Sequence, residues 1–208
     1  MKKFKLKSEN TMRKLVATAL IIGGTAILPG SGVNMSKELP TCSIEEMVIY
    51  YNPPKEIKFM TSREIKPYLD MAFKEVNLPS YIDKNYVQAK ILVESHGNPE
   101  AVSSIGAKGL MQIMPSTWSD YDSANYWENV FNPEKNILVS LKHLKKIDEY
   151  LQENFPGYSS LPNREKQDKI SAVYNAGITK MRKANWDVSK MSEETQNHVE
   201  KIRRILGG

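Results

Sequence analysis

The stretch ILVESHGNPEAVSSIGAKGLMQIMPSTW, residues 91–118, joins an apolar run to a segment rich in small residues. Glu94 stands at the end of the apolar run, and Gly97, Gly106 and Gly109 follow it. Glycine adopts backbone conformations that other residues resist, and its missing side chain lets a ligand approach the backbone closely. The stretch therefore predicts a helix that delivers one carboxyl group into a tight loop.

Glu94 is the residue in this stretch best suited to carry chemistry. The apolar residues 91–93 before it predict a partly desolvated side chain, and both burial and the carbonyl end of a helix disfavour a charged carboxylate. A carboxyl group whose pKa is raised toward neutrality can donate a proton and later take one back. A structural role stays open on position alone, since a glutamate here can also accept hydrogen bonds from amides of the loop.

The loop after Glu94 has the composition of a ligand groove. Gln112 carries an amide that both donates and accepts hydrogen bonds, which suits an N-acetyl group or a sugar hydroxyl. Met111 and Met114 offer soft apolar walls. Four aromatic residues that could stack on sugar rings or equally pack in the core come next, namely Trp118, Tyr121, Tyr126 and Trp127.

Apolar residues at helical spacing continue on both sides of this stretch. Ser62 is predicted to cap the first helix, and Asn132 followed by Pro133 opens a long one, because a capping side chain and a proline in the first turn both favour a helix start. No run of alternating strands appears. The predicted fold class is therefore mainly α with a possible small β element, and the predicted helices cover residues 62–76, 82–96, 132–151, 168–176 and 192–206.

The N-terminal residues 1–32 are predicted to be an export signal. A lysine-rich start precedes the apolar core of residues 15–28, and Pro29 and Gly30 break it. The apolar run is shorter than the roughly 20 residues that span a bilayer, so cleavage and retention as an anchor are both open. Residues 33–61 read as a linker, with Pro53 and Pro54 favouring extended chain. The folded domain is predicted to cover residues 62–208.

Composition and charge place the chain among ordinary globular proteins with a basic surface. Hydrophobic residues make up 40% and charged residues 25% of the 208 residues, and the formal net charge is +5. That charge favours an anionic partner such as nucleic acid, a membrane surface or an acidic wall polymer, or simply a solvated basic surface. The basic run Lys201, Arg203 and Arg204 fits a solvated helix face better than a nucleic-acid site.

Cysteine and histidine usage gives no indication of a metal or cofactor. Cys42 is the single cysteine, so it forms no intramolecular disulfide, and its surroundings fit a dispensable thiol better than a lipid attachment site. The three histidines form no metal-binding spacing. We expect His143 on the surface of its helix, and His96 could touch a ligand because it follows Glu94 closely.

The motifs around Glu94 resemble the signature of the soluble lytic transglycosylases of bacterial cell walls. The similarity covers residues 80–205, with several dispersed motifs in the family's order. They are Glu94-Ser95, Asn98-Pro99, Ser103, Gly106-Ala107, GLMQIMP at 109–115, Asn132-Pro133, Asn136-Ile137 with Leu141, SAVYNAG at 171–177, and Glu194-Thr195 with Val199.

This resemblance implies a lysozyme-like α fold that cleaves the β-1,4 bond between N-acetylmuramic acid and N-acetylglucosamine in peptidoglycan. Glu94 would act first as acid and then as base, and the sugar's own 6-hydroxyl would attack to leave a 1,6-anhydromuramoyl end. Tyr174 would orient Glu94, and the residues that bind substrate would be Ser103, Gln112, Met114, Tyr174 and Glu194. No cofactor and no metal are implied.

Two departures from the family pattern are visible. His198 stands where the family has a tyrosine, and we expect this change to affect the far end of the groove. Residues 178–181 replace a proline and glycine that often follow Gly177, so the loop there is expected to differ.

Two other functions compete with lytic transglycosylation. A goose-type lysozyme would use the same Glu94 to activate water, and a scaffold of a glycan-binding or secretion apparatus would need no catalysis. The expected partner is peptidoglycan rather than nucleic acid. The chain is expected to be a monomer outside the cytoplasm, with its N-terminal segment engaging the membrane during export.

Overall fold

Helices make up most of the part of the chain that the structure, a computed structural model, describes: residues 20–22, 25–27, 59–122 and 125–207. The chain divides into two units, residues 1–55 and 56–208. In the first unit, β1 (Leu20–Ile22) pairs antiparallel with β2 (Thr25–Ile27). The rest of the predicted export signal, the linker up to residue 58, and Cys42 lie outside the described residues.

The second unit begins with two helices whose caps correct the predicted starts. Helix α1 (Ser62–Glu75) is capped by Thr61 rather than Ser62, because Thr61 has Glu64 three residues later and the two side chains cap each other's backbone amides. Helix α2 (Lys84–Ser95) starts after Asp83, which accepts a hydrogen bond from the amide of Tyr86. The predicted start at residue 82 is two residues too early.

The segment between α2 and the long central helix is a loop followed by two short helices. Isolated β-bridges join Val102 to Lys108 and Lys108 to Ile113 and supply β structure in this unit. Helices α3 (Pro115–Ser119) and α4 (Tyr126–Asn129) follow and were not predicted. They are too short to show the apolar period from which helices are predicted.

Four further helices complete the second unit. They are α5 (Pro133–Asn154), α6 (Asn163–Ala176), α7 (Ile178–Lys183) and α8 (Glu193–Ile205), with short 3-10 turns at Tyr158–Ser160 and Val188–Lys190. Asn132 and Ser192 cap α5 and α8 as predicted. Helix α6 starts five residues before the predicted position, and α7 was not predicted.

One apolar core runs through the second unit, because each long helix contributes a buried face to it. Helix α1 packs on α5, and α8 packs on both α2 and α6. Trp118 and Tyr126 are buried in this core, whereas the Trp127 side chain is 65% exposed. The contact of α8 with α2 places the last helix of the chain against the helix that carries Glu94. Within the described ranges, none of the helices combines the length and apolar character that crossing a bilayer requires.

Candidate active site

Glu94 lies in the last turn of α2, where the chain leaves the helix through two left-handed residues. His96 has φ 55° and Gly97 has φ 79°. Gly97 lies so close to the carbonyl oxygen of Met60 that an added Cβ would meet it at 2.5 Å. This tight exit fixes the end of α2, and with it the Glu94 side chain, which is 12% exposed.

Burial governs the electrostatics of Glu94. Desolvation raises the pKa of its carboxyl group, and the neighbouring Lys90 acts in the opposite direction. The direction predicted from the apolar run is therefore found in the structure. A buried carboxyl group with a raised pKa keeps its proton to higher pH than an exposed one, which suits general acid catalysis.

Lys90 lies one helical turn before Glu94 and has no solvent exposure. Its Nζ atom is 3.5 Å from Glu94 Oε1 and 4.0 Å from the centre of the Tyr174 ring. Burial lowers the pKa of Lys90, while Glu94 favours the charged form. Sequence reasoning missed this residue, although its position four residues before Glu94 puts both on one helix face.

His198 reaches the same carboxyl oxygen from α8. Its Nε2 atom is 3.5 Å from Glu94 Oε1, and among the described residues it has no hydrogen-bond partner. Burial lowers the pKa of His198 to about 3, so the imidazole is neutral at neutral pH. The expectation that His198 would affect only the far end of the groove is wrong, because α8 packs on α2 and brings this side chain to the acid itself.

The two oxygens of Glu94 therefore have different surroundings. Oε1 faces Lys90 and His198. No hydrogen bond within the described part of the chain reaches Oε2. The carboxyl group is thus held along one edge, and its other oxygen is available to a ligand.

Tyr174 connects this cluster to the glycine-rich loop rather than to Glu94 directly. Its hydroxyl donates to the Met111 carbonyl at 2.8 Å, and its ring lies against Lys90. Ser140 lies 3.5 Å from the same hydroxyl. Among the contacts of the described residues, Tyr174 is joined to Glu94 through Lys90 and not directly, and its orienting role stays a prediction.

The loop of residues 101–114 is held in shape by the side chains that were predicted to bind substrate. Ser103 Oγ accepts from the Ala107 amide at 2.9 Å. The Gln112 Nε2 group donates to the carbonyls of Gly109 and Ala101, and Gln112 itself has a left-handed φ of 47°. Met114 is half-buried and occupies the N-cap position of α3 without a capping hydrogen bond from its side chain.

Asn136 anchors this loop to α5. Its Oδ1 atom accepts from the Met111 amide at 2.9 Å, and its Nδ2 group donates to the carbonyls of Val130 and Lys108. Tyr174 and Asn136 therefore hold the carbonyl and the amide of Met111 from two helices. The loop is fixed to the same framework that positions Glu94.

Glu194 and the remaining candidates lie at the edge of this cluster. Glu194 is exposed in the first turn of α8, one turn before His198 on the same helix face. His143 is half-buried rather than on the surface as predicted, because its Nδ1 pairs with the Tyr121 hydroxyl at 3.0 Å and its ring packs against Tyr174. Trp127 is exposed, with Lys108 Nζ 3.7 Å from its ring.

Ion pairs neutralise part of the basic run on α8. Arg203 pairs with Asp168, and Arg204 pairs with Glu200 at 2.9 Å. This arrangement fits the predicted solvated helix face. No group of three or more histidine, cysteine, aspartate or glutamate side chains is placed to hold a metal ion in the described ranges.

Comparison with protein families matches residues 71–198 to the family model described as the transglycosylase SLT domain. This match covers more than half of the chain and includes Glu94, the loop of residues 101–114, Tyr174 and His198.

Two relatives are similar over part of the chain. A Haemophilus influenzae protein named as a soluble lytic murein transglycosylase is 32% identical over 121 residues, which are 56% of this chain and 18% of that protein. The endo-type membrane-bound lytic murein transglycosylase A of Klebsiella pneumoniae is 35% identical over 77 residues, 32% of this chain and 36% of that protein. The chain therefore spans only a minor part of these relatives.

Solved structures show the same fold. The match with the 70 kDa soluble lytic transglycosylase of Escherichia coli covers 68% of this chain and 24% of the Escherichia coli chain. The TM-score is 0.50 and the sequence identity is 24%. The match with an inactive mutant of the lytic transglycosylase Slt of Pseudomonas aeruginosa covers 67% of this chain and 23% of the Pseudomonas aeruginosa chain. The TM-score is 0.52 and the sequence identity is 22%. The predicted mainly α, lysozyme-like fold is confirmed.

Proposed function

The chain belongs to the transglycosylase SLT family, and from this premise we propose that it is a lytic transglycosylase that cleaves the glycan strands of bacterial peptidoglycan. The observation that carries the proposal is the Glu94 carboxyl group, which is buried at the end of α2 and faced by Lys90 and His198 along one edge. Relatives named as lytic murein transglycosylases support the same activity.

Glu94 is proposed to act as both acid and base. Its proton passes to the glycosidic oxygen between N-acetylmuramic acid and N-acetylglucosamine, and the bond to the anomeric carbon breaks. The N-acetyl oxygen of the substrate stabilises the cationic anomeric centre. The 6-hydroxyl of the same sugar then attacks that carbon and returns a proton to Glu94, which leaves a 1,6-anhydromuramoyl end.

This sequence of steps needs one carboxyl group, whereas ordinary glycosidases use two. The attacking hydroxyl belongs to the substrate, so its effective concentration is high and no water has to be positioned. Acids that follow Glu94 along the chain are engaged elsewhere or exposed: Asp120 lies 3.5 Å from Lys146, and Glu100 is exposed.

The remaining site residues are proposed to bind the glycan. Gln112 and Ser103 shape the loop beside the scissile bond, with Ser103 near the N-acetyl group. Met114 gives an apolar wall, Tyr174 supports the acid, and Glu194 binds a sugar at the edge of the groove. The protein is proposed to work outside the cytoplasm as a monomer, after its N-terminal segment has engaged the membrane during export.

Mass spectrometry of the reaction products tests the proposal. The full chain is incubated with purified peptidoglycan beside Glu94→Gln, with Glu100→Gln as a matched control that removes an exposed acid nearby. We expect muropeptides lighter by one water than lysozyme products from the wild type and from Glu100→Gln, and none from Glu94→Gln.

Other outcomes point to the competing functions. Reducing ends in place of anhydro ends would identify a hydrolase of the goose type. No products from well-folded wild-type protein on several wall types would contradict an enzymatic role and favour a glycan-binding or secretion-apparatus scaffold.

A further inference from the structure

Lys90 is a lysine buried in the site. Packing of the core does not by itself require a charged side chain at this position. Lys90 has no solvent exposure, although lysine is among the residues least often fully buried. Within the described part of the chain, its ammonium group lies 3.5 Å from Glu94 Oε1 and 4.0 Å from the centre of the Tyr174 ring. Both contacts favour a positive charge at this position.

Stability does not account for this arrangement. Removing an ammonium group from water costs several kcal/mol, and a buried ion pair repays that cost only with close and complete hydrogen bonding. The contact with Glu94 is at the outer limit of a hydrogen bond. Replacing a buried ion pair by well-packed apolar side chains often leaves stability unchanged or raises it, so a buried ion pair is weak evidence for a role in stability.

The groups that face Lys90 and Glu94 from the packed helices are neutral at neutral pH. Burial lowers the pKa of His198 to about 3 and that of His143 to about 4, and it raises the pKa of Tyr174 and of Tyr86. The exposed Lys201 lies farther out on α8 and acts on His198. Of the side chains that face Glu94 Oε1, Lys90 is therefore the one that can supply a positive charge beside a carboxylate.

That negative charge arises in the proposed reaction. When Glu94 has given its proton to the glycosidic oxygen, a carboxylate is left in a site that is almost closed to water. Without a nearby cation this state is costly. Lys90 stands in contact with the oxygen that bears part of the charge.

We propose that Lys90 is a positioning residue of the site, whose buried ammonium group stabilises the Glu94 carboxylate formed after proton donation. The inference rests on the proposed function for its role in catalysis. Lys90 itself gives up no proton, and the proton lost by Glu94 returns from the 6-hydroxyl of the substrate.

Carbon-13 NMR of labelled glutamate carboxyl groups tests this inference without requiring turnover. The Glu94 signal is assigned by its loss in Glu94→Gln, and its titration is followed in the full chain and in Lys90→Met. We expect the Glu94 titration midpoint to move to higher pH in Lys90→Met, because the ionised form loses its stabilising charge. An unchanged midpoint in the folded variant would overturn the inference.

Two further variants separate charge from packing. Lys90→Gln keeps a polar side chain of similar size without the charge and is expected to shift the Glu94 midpoint in the same direction. If Lys90→Met does not fold, Lys90→Gln provides the same test. Lys84→Met removes an exposed lysine of the same helix and is expected to shift nothing. A purely structural Lys90 would instead lower the melting temperature of Lys90→Met and leave the Glu94 midpoint in place.

Activity on peptidoglycan completes the test. The reaction needs protonated Glu94, so activity is lost as pH rises through its pKa, and this alkaline limb should move to higher pH in Lys90→Met while kcat falls about tenfold or more. If wild-type protein forms no anhydro products, the proposed function fails, and the NMR midpoint still decides whether Lys90 stabilises the carboxylate.

Discussion

At the scale of single residues, burial is the largest influence on the pKa values of the side chains around Glu94. The same loss of water raises the pKa of Glu94 and lowers those of Lys90, His143 and His198. Each shift favours the neutral form. The contact between Glu94 and Lys90 opposes the shifts of these two groups, and Asp120 opposes the shift of His143. The site is thus a dry cluster in which one ion pair competes with desolvation.

His143 gives a prediction for stability against pH. Its pKa is lowered from the ordinary 6.5 to about 4, so the unfolded chain binds a proton that the native protein does not hold. The free energy of unfolding should therefore fall as pH drops from 6.5 toward 4, with His143 contributing roughly 2–3 kcal/mol of that loss. Urea unfolding at several pH values measures it.

Variants identify the residue responsible for this slope. His143→Gln should unfold with a weaker pH dependence between 4 and 6.5 than the wild type. Equal slopes for wild type and His143→Gln would show that another group governs acid unfolding.

At the scale of elements, the loop of residues 101–114 is rigid because two helices hold its backbone. Asn136 of α5 and Tyr174 of α6 bind the amide and the carbonyl of Met111. Gln112 keeps a left-handed backbone that costs about 1 kcal/mol or more for a non-glycine residue. Such strain persists only where the surrounding contacts enforce it, and here they lie beside the proposed acid.

Two glycines of this loop form a matched pair for mutation. Gly109 and Gly106 both have positive φ, but an added Cβ at Gly109 would meet Asn136 Nδ2 at 2.3 Å and the Val130 carbonyl at 2.6 Å, while at Gly106 it meets nothing within 4 Å. We expect Gly106→Ala to cost about 1 kcal/mol from backbone strain and to keep activity. Gly109→Ala should cost at least twice as much and abolish activity.

Thermal unfolding and the peptidoglycan assay measure these two effects side by side. Similar losses from both glycine variants would mean that backbone conformation alone matters here, and that the anchoring contact with Asn136 does not hold the loop.

At the scale of the whole molecule, buried polar contacts tie distant segments of the second unit together. Asp148 of α5 is 2% exposed and accepts hydrogen bonds from the hydroxyls of Tyr81 and Tyr158 at 2.8 and 2.6 Å, and from Gln152 at 2.6 Å. This carboxylate joins the segment before α2 to the turn after α5. These three hydrogen-bond partners differ from Lys90 and His198, the side chains that face Glu94.

Asp148→Ala should therefore destabilise the protein without a specific effect on the site. We expect a loss of about 3 kcal/mol or more, because the buried Tyr158 hydroxyl, the half-buried Tyr81 hydroxyl and the Gln152 amide all lose a charged acceptor. Tyr81→Phe, which removes one of the donors, should cost about 1 kcal/mol. Urea unfolding gives both values, and a loss no larger for Asp148→Ala than for Tyr81→Phe would contradict a shared role of this carboxylate.

Sequence patterns were enough to predict the helical class, the caps of α5 and α8, and the place of Glu94 in the last turn of a helix. Asn132 and Ser192 start their helices as predicted, since a cap is a local interaction between a side chain and amides two or three residues away. The apolar run before Glu94 correctly indicated burial and the direction of its pKa shift, and the motifs of the stretch indicated the family.

Only the tertiary structure decided what surrounds that acid. His198 lies 104 residues after Glu94 along the chain, and it reaches the carboxyl group because α8 packs on α2. Tyr174 was expected to hydrogen-bond near Glu94, yet its hydroxyl donates to the Met111 carbonyl and its ring lies against Lys90. Local patterns fix where a helix begins and which face is apolar, but the partners of a buried polar group depend on which helix faces are pressed together, and packing of the whole core decides that.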